Sequence, residues 1–414
     1  MESRPLAMLV LACLLPGPAL AGYGVFAHGY GMKSEGAGGV GLAWAEDSSA
    51  LAANSAAALS LGRRVDAGLD WIQAHSGGSF RGNAAGPDQR YDSRGQEHFF
   101  IPQAGYVQPL RPDLALGVTM FSAGFGTDYE KSPYTRFGGA PRAGIKLMQS
   151  VLSTSLAWAP IPSQHLGVGL NLAYQEVNVD GLGFLAPLSV APANVSDQGA
   201  DSAYGYSLQL GWQGRISKRV SGGVAWRSRT KLGRFQRYRG LLPNGGELDL
   251  PAIYGAGLVY RPVPVLALSF DLSRVDFAEE AASGNSVRRL SEGRLLGSDE
   301  GPGFGWRNQT IGKLGASWQA TSVLRLRAGY SRANRVMPPS ETFLGLVAPV
   351  VMRQHYTLGA TLTTPGAWEW TGFTAYAPRS RVAGEGSIAS AFGGGEADLD
   401  VEQVIAGFSI GRRF

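Results

Sequence analysis

The sequence contains a single cysteine, Cys13, and that residue lies in a segment typical of a secretion signal. Arg4 precedes a short apolar run at residues 6–15, and Ala19-Leu20-Ala21 follows as an A-x-A cleavage site. We therefore expect residues 1–21 to be removed, which leaves a mature chain without thiols or disulfides. The alternative reading of residues 10–13 is a lipoprotein acylation site.

Long apolar runs are also missing after residue 21. No stretch of 18 apolar residues follows it, which excludes a helical membrane protein. The chain has 414 residues, 59 of them glycine, and a net charge of only +5, which does not indicate a nucleic-acid-binding surface. No linker, charge block or low-complexity tract divides the chain into separate domains.

What the sequence has instead is alternation at period two. In one segment Leu266, Leu268 and Phe270 alternate with small or polar residues, as expected for a strand with one apolar face. Fourteen such segments are centred near residues 70, 103, 118, 150, 171, 208, 224, 257, 270, 314, 328, 358, 372 and 408. A soluble sandwich also alternates in this way, so alternation alone does not decide the class.

The connections between the segments decide it, because short and long ones alternate strictly. An even number of strands with short turns on one side and long loops on the other is typical of bacterial outer-membrane barrels. Aromatic residues mark several strand ends, among them Trp158, Tyr260 and Trp318, as a membrane interface requires. Residues 63–414 therefore predict an all-β transmembrane barrel of 14 antiparallel strands in the outer membrane.

The last strand ends in an aromatic carboxy-terminus. Phe414, Ile410 and Phe408 share one face of this strand, and a terminal Phe resembles the signal read by the barrel-assembly machinery. Arg412 departs from that pattern, because an apolar residue is usual at its position.

Residues 22–62 do not alternate. Residues 22–44 are rich in glycine, and an alanine-rich stretch with helical tendency follows from Glu46 to Leu59. Because a fourteen-stranded barrel has a wide lumen, this segment predicts a plug, or hatch, inside it. A disordered periplasmic leader is the alternative. The spacing Gly36-x-Gly38-x-x-Gly41 matches a dinucleotide-binding fingerprint only formally, since no βαβ unit surrounds it.

Together these segments resemble the FadL family of outer-membrane transporters for long-chain fatty acids and other hydrophobic compounds. The resemblance is carried by residues 29–43 and 46–59, Phe99-Phe-Ile-Pro102, Gly105-Tyr106, Phe121-Ser-Ala-Gly-Phe-Gly-Thr127, Trp226-Arg-Ser-Arg-Thr-Lys231, Lys313-Leu-Gly, residues 326–330 and Pro338-Pro339. The resemblance implies a fourteen-stranded barrel, an N-terminal hatch and lateral exit of the transported molecule through a gap in the barrel wall. Gly124 and Gly126 could permit a kink there.

The resemblance also points to residues of the hatch: Gly36, Gly38, Gly39, Gly41, Asp47 and Asn54. The family usually has Asn-Pro-Ala where this chain has Asn54-Ser55-Ala56. Losing the proline removes a fixed φ, so the local hatch geometry is open to change.

Enzyme chemistry finds little support in the sequence. The five histidines, His28, His75, His98, His165 and His355, show no metal-binding spacing, and no nucleophile motif is present. We predict no catalytic residue, no cofactor and no metal site, with an outer-membrane hydrolase as a minor alternative.

Two groups of residues are candidates for ligand binding. Phe184, Leu185 and Leu188 lie in a long loop and could capture a lipid tail, or pack on a neighbouring loop. Lys146, Arg325 and Arg327 are candidate lumen bases for a fatty carboxylate. Ion pairs across the lumen would also explain these residues. A one-residue slip of register would turn their side chains from the lumen to the outer face of the barrel.

A basic run opens another long loop. Its exposed cations are candidates for contact with lipopolysaccharide phosphates, with a solvated face as the alternative: Arg229, Lys231, Arg234, Arg237 and Arg239.

The sequence thus predicts a monomeric, passive uptake channel for long-chain fatty acids or similar hydrophobic molecules. The alternatives are uptake of aromatic hydrocarbons, a structural or adhesive barrel, and a general porin without a hatch.

Overall fold

The structure is a computed structural model that describes residues 22–414. The predicted signal sequence and Cys13 lie outside the described residues. From Arg64 onward the chain forms one antiparallel sheet of sixteen strands: β1 (Arg64–Arg81), β2 (Gln89–Ser93), β3 (His98–Arg111), β4 (Leu114–Tyr129), β5 (Ala143–Ile161), β6 (Gln164–Asp180), β7 (Asp201–Arg215), β8 (Val220–Arg227), β9 (Lys231–Leu232), β10 (Ile253–Val263), β11 (Leu266–Val275), β12 (Gln309–Gln319), β13 (Leu324–Ala333), β14 (Gln354–Thr364), β15 (Trp368–Val382) and β16 (Glu396–Arg413).

The sheet closes into a barrel with fourteen strand positions. Strands β2 and β3 both pair with β1, and strands β8 and β9 both pair with β7. Each of these two sets therefore occupies a single, interrupted strand position in the barrel. Strand β16 pairs with β1 along its length and leaves no free edge. The predicted fourteen-stranded barrel is confirmed, and each predicted segment centre falls within a strand. The two interruptions were not predicted.

Side chains alternate across the wall as expected for a barrel in a membrane. On β6, Leu166, Val168, Leu170 and Leu172 point outward and are between 44% and 52% exposed. The residues between them face the lumen, among them Asn171, which is 1% exposed. The outward apolar side chains of successive strands form the band that contacts lipid.

Helical segments are short. Within residues 22–414 the α-helices are single turns: α1 (Met32–Glu35), α2 (Ala58–Leu61), α3 (Pro243–Gly246), α4 (Ala281–Gly284) and α5 (Thr342–Gly345). The 3₁₀ helices of the same range are Ser48–Ala52, Ser55–Ala57, Pro133–Phe137, Gly183–Leu188, Pro192–Asn194, Gln236–Tyr238, Phe277–Glu279, Val287–Leu290, Pro339–Glu341 and Ser390–Phe392. Across this part of the chain, no helix has the length and apolar character needed to cross a membrane.

The two ends of the barrel differ. Connections of two to four residues, such as 162–163 and 320–323, join strands at what we term the short-turn end. At the long-loop end the loops fold inward, and their side chains form one large hydrophobic cluster with residues from the lumen wall. The barrel is therefore filled rather than hollow at the long-loop end.

Candidate functional site

Residues 22–62, here called the hatch, lie inside the barrel. Most of the hatch is buried, and Leu51, Asn54 and Ala56 are 0% exposed. Its 3₁₀ segments contact β4, β6 and β7, while α1 contacts β14 and β15 on another side of the lumen. The hatch therefore crosses the lumen, as the fold prediction required.

Two polar side chains fix the centre of the hatch. The amide of Asn54 donates hydrogen bonds to the carbonyl oxygens of Leu42 (2.8 Å) and Trp212 (3.0 Å), which joins two parts of the hatch to β7. On β11, three strand positions further round the barrel, the Asp271 carboxylate accepts hydrogen bonds from the backbone N–H groups of Gly41 (2.7 Å) and Leu42 (2.9 Å). These bonds satisfy backbone groups that would otherwise be buried without partners.

The hatch residues indicated by sequence have local roles. Gly38 and Gly39 adopt φ angles of +76° and +80°, a region that favours glycine. A Cβ on Gly36 would lie 2.9 Å from the Cα of Gly359, so a side chain there would push the hatch off β14. Asp47 and Asn54 cap the 3₁₀ helices Ser48–Ala52 and Ser55–Ala57, because their side chains accept hydrogen bonds from backbone N–H groups of those helices.

An ion-pair cluster anchors the hatch at the short-turn end. Glu46 accepts hydrogen bonds from Arg325 (2.7 Å) and from Arg327 (2.9 Å), and the Arg327 side chain is only 1% exposed. Nearby, Glu369 of β15 pairs with Lys33 of the hatch (2.5 Å) and with Arg64 of β1 (2.9 Å). Arg325 and Arg327 do face the lumen, but in this structure their partner is the carboxylate of the hatch.

Lys146 does not face the lumen. It shares the outward face of β5 with Leu152, whereas Gln149 points inward and donates a hydrogen bond to the carbonyl oxygen of Val25 (2.7 Å). Its nearest acidic partner is Glu176 at 4.0 Å, on the outward face of β6. The lumen position expected for Lys146 is therefore wrong, because the true register differs by one residue.

The apolar loop at residues 183–188 packs on its neighbours. The Phe184 ring contacts those of Tyr134, Phe392 and Phe137, with centroid distances of 5.2, 5.7 and 5.9 Å. Leu185 is 1% exposed, while Leu188 is partly buried against the same hydrophobic cluster. Lipid capture by these residues stays a prediction, and it requires the loops to separate.

The wall is incomplete between β3 and β4. Their pairing runs only as far as Ala104 and Met120, although both strands continue beyond that point. Contact resumes where the N–H of Gly95 donates to the carbonyl oxygen of Asp128 (3.1 Å). Residues 98–103 and 121–127 thus face each other without a hydrogen-bond ladder.

Strand β4 passes inside β3 along this unpaired stretch. A Cβ on Gly126 would point at the inward-facing ring of Phe99, 3.5 Å from its Cε1 atom. Gly124 has φ +155°, and a Cβ there would lie 2.2 Å from the carbonyl oxygen of Leu147 on β5. Only glycine therefore permits this bend, at a position that the sequence had indicated.

Aromatic side chains connect this stretch to the hatch. Phe121 packs edge-on against Tyr30 of the hatch, with centroids 4.8 Å apart. Phe125 contacts Trp306 (6.4 Å), and Phe277 contacts both Trp306 (5.5 Å) and Phe26 of the hatch (6.2 Å). Sequence reasoning missed Trp306 and Phe277, because both lie in long loops where no periodicity shows which residues face inward.

The basic residues of the loop after β8 all lie at the surface: Arg229, Lys231, Arg234, Arg237 and Arg239. Arg237 donates a hydrogen bond to the carbonyl oxygen of Gln198 (3.0 Å), and Arg239 donates one to the side chain of Asn194 (3.1 Å). Their contact with lipopolysaccharide stays a prediction.

One group of carboxylates in the described residues has the spacing of a cation site. The ligand atoms of Glu247, Asp249 and Glu280 lie within 4.8 Å of one another in the loops. Arg229 forms an ion pair with Glu280 at 3.5 Å, and Asp249 accepts a hydrogen bond from the backbone N–H of Leu232 (2.8 Å). Two of the three carboxylates therefore already have partners in the protein. Burial raises the pKa of Glu280 to about 7, against the lowering effect of Arg229.

Comparison with known families matches residues 20–371 to the family described as "Outer membrane protein transport protein (OMPP1/FadL/TodX)". The match spans most of the chain, including the hatch and the unpaired stretch. The chain belongs to this family. It is accordingly an outer-membrane transport protein, and the FadL resemblance seen in the sequence is confirmed.

Solved structures agree on the fold. The toluene transporter TodX of Pseudomonas putida is 18% identical, with a TM-score of 0.70 over 94% of this chain and 99% of that chain. A FadL homologue of Pseudomonas aeruginosa gives 15% identity, a TM-score of 0.70 and coverage of 94% and 99%. The toluene transporter TbuX of Ralstonia pickettii is 17% identical, with a TM-score of 0.65 over 94% of this chain and 99% of that chain. A comparison with curated proteins gives no match.

Proposed function

We propose that this member of the OMPP1/FadL/TodX family carries hydrophobic small molecules passively across the outer membrane, with long-chain fatty acids as its main substrates. The observation that carries the proposal is the apolar, aromatic lining that reaches from the loops to the unpaired stretch between β3 and β4. An apolar path through a polar shell is the physical requirement for such a cargo.

The proposed route has three steps. The molecule first adsorbs on the loops beside Phe184, then passes the rings of Trp306, Phe125 and Phe121, and finally leaves sideways between β3 and β4. The hatch begins beside this exit, since Gly22 and Gly24 line a small cavity of about 10 Å³ together with Phe125 and Gly126. A shift of the hatch would widen that cavity.

Small aromatic hydrocarbons are the second candidate. Aromatic rings dominate the route, and edge-on contacts such as that between Phe277 and Trp306 can accommodate another ring. Two of the solved relatives are described as toluene transporters.

The remaining assignments complete the proposal. Residues 1–21 serve as the signal sequence and residues 22–62 as a movable hatch. Phe414 directs assembly, the exposed arginines after β8 contact lipopolysaccharide, and the protein acts as a monomer.

Uptake measurements test the proposal. Cells that lack their own fatty-acid transporter would be given labelled oleate or labelled toluene, with and without this protein. Faster oleate uptake supports the main proposal, and faster toluene uptake alone supports the second candidate. A correctly inserted barrel that accelerates neither would contradict both.

A further inference from the structure

A second cavity lies on the other side of the hatch. It has a volume of about 500 Å³ and occupies the lumen at the short-turn end, and we call it the vestibule. The hatch forms its floor with Ala43, Trp44 and Glu46, and the ends of β6, β7, β8, β10, β13 and β16 form its wall. In the topology of an outer-membrane barrel, this end faces the periplasm.

Basic side chains occupy the lumen-facing positions around the vestibule. Arg215, Arg261, Arg325, Arg413 and His165 all line it, each from a different strand. Each shares the inward face of its strand with a buried residue, as Arg261 does with Val259 and Arg325 with Arg327. The positive charge is therefore directed into the cavity and not towards lipid.

The acidic groups nearby do not neutralise this charge. Among the residues that the structure describes, Glu46 is the one carboxylate that lines the vestibule, and Arg325 and Arg327 share it. Arg413 pairs with Glu369, which already binds Lys33 and Arg64. Within residues 22–414, the guanidinium groups of Arg215 and Arg261 make neither an ion pair nor a hydrogen bond.

Glu46 shows what chemistry the cluster accepts. The protein's own carboxylate sits at one side of the vestibule and takes hydrogen bonds from two guanidinium groups at 2.7 and 2.9 Å. Arg261 lines the same cavity as Glu46 and Arg325. Arg261 and Arg215 bring two further guanidinium groups to this cavity, and the planar donors of guanidinium suit carboxylates and phosphates.

We infer that the vestibule is a periplasmic anion site, which binds the carboxylate or phosphate head group of a single-chain amphiphile through Arg215 and Arg261. Trp44 and Pro162 line the same cavity and offer an apolar surface to the first carbons of the chain. This site lies beyond the hatch and apart from the route between β3 and β4, so it does not depend on the proposed uptake.

Calorimetric titration of the purified full chain in neutral detergent tests the inference. The probes are octanoate, octyl phosphate, octanol and inorganic phosphate. We expect octanoate or octyl phosphate to bind at one site, and the double variant R215Q/R261Q to weaken that binding at least tenfold, as expected for loss of a charge-assisted hydrogen bond. The tighter of the two probes identifies a fatty-acid or a phospholipid head group.

The control variant is R219Q, which removes an exposed arginine from the same turn as Arg215 without touching the vestibule. It should change the affinity less than twofold, and heat-dependent migration in gels confirms that each variant is folded. Unchanged octanoate binding in R215Q/R261Q, or octanol binding as tight as octanoate, would overturn the site. Inorganic phosphate binding as tight as octyl phosphate would overturn its preference for amphiphiles. Loss of cellular oleate uptake with binding intact would contradict only the proposed function.

Discussion

At the scale of single residues, polar side chains inside the barrel bind the backbone of the hatch at its centre. Asn54 satisfies the carbonyl oxygens of Leu42 and Trp212 and also caps the helix that follows it. Ser55 beside it has a buried hydroxyl oxygen that finds no hydrogen-bond partner in the part of the chain described. The family proline missing at this position is therefore not replaced by a new polar contact.

These neighbours form a matched pair of variants. N54A should lower the free energy of unfolding by about 2–3 kcal/mol, because it leaves buried backbone groups unsatisfied and removes a cap. S55A should change it by less than about 0.5 kcal/mol, since it removes only an unpaired hydroxyl. Denaturant titration of both variants in detergent micelles checks the difference, and equal effects would contradict the role given to Asn54.

A second prediction at this scale concerns Glu280 in the loop after β11. Burial raises its pKa from the usual 4.5 to about 7, so the folded loop binds the proton more tightly than the unfolded chain does. The resulting stabilisation is complete below pH 4.5 and is lost as the pH rises through about 7. Hydrogen exchange in residues 277–307, corrected for intrinsic rates, should increase over this range in the wild type and stay flat in E280Q. Parallel pH profiles would contradict the assignment.

At the scale of elements, the sequence predicts strands far better than loops. Alternation along β6 or β11 is imposed by lipid on one side and a polar lumen on the other, so it can be read without a structure. The register error at Lys146 arose where β5 is buried on both faces, as Met148 (2% exposed) shows, and alternation disappears. The inward packing of Phe277 and Trp306 depends on contacts between distant loops, which no local pattern records.

The attachment of the hatch to the wall can be weakened at a single residue, Glu46. E46Q would leave Arg327, 1% exposed, without its carboxylate, and breaking a buried pair costs about 3–5 kcal/mol. We expect higher ion conductance in planar bilayers, because a loosened hatch no longer fills the lumen. D113N breaks the exposed pair with Arg111 and should leave the conductance at the wild-type level. Equal conductance of E46Q and wild type would show that the hatch is held by other contacts.

At the scale of the whole molecule, the barrel combines a filled lumen with a wall that is unpaired in one place. A general porin would need an open, charged constriction, whereas here hatch and loops occupy the interior. Strand β4 separates from β3 at Met120 and passes inside it while staying paired with β5, and its bend requires glycine at position 124. We propose that hydrophobic molecules leave the lumen at this bend.

The most direct test is the rate of labelled oleate uptake by cells that carry G124V, compared with cells that carry G312A. Any Cβ at position 124 collides with the carbonyl oxygen of Leu147, whereas one at position 312 would have its nearest neighbour at 4.0 Å. We predict that G124V inserts as a heat-modifiable barrel but loses at least tenfold in rate, while G312A transports like the wild type. Wild-type uptake by a correctly inserted G124V would contradict the route.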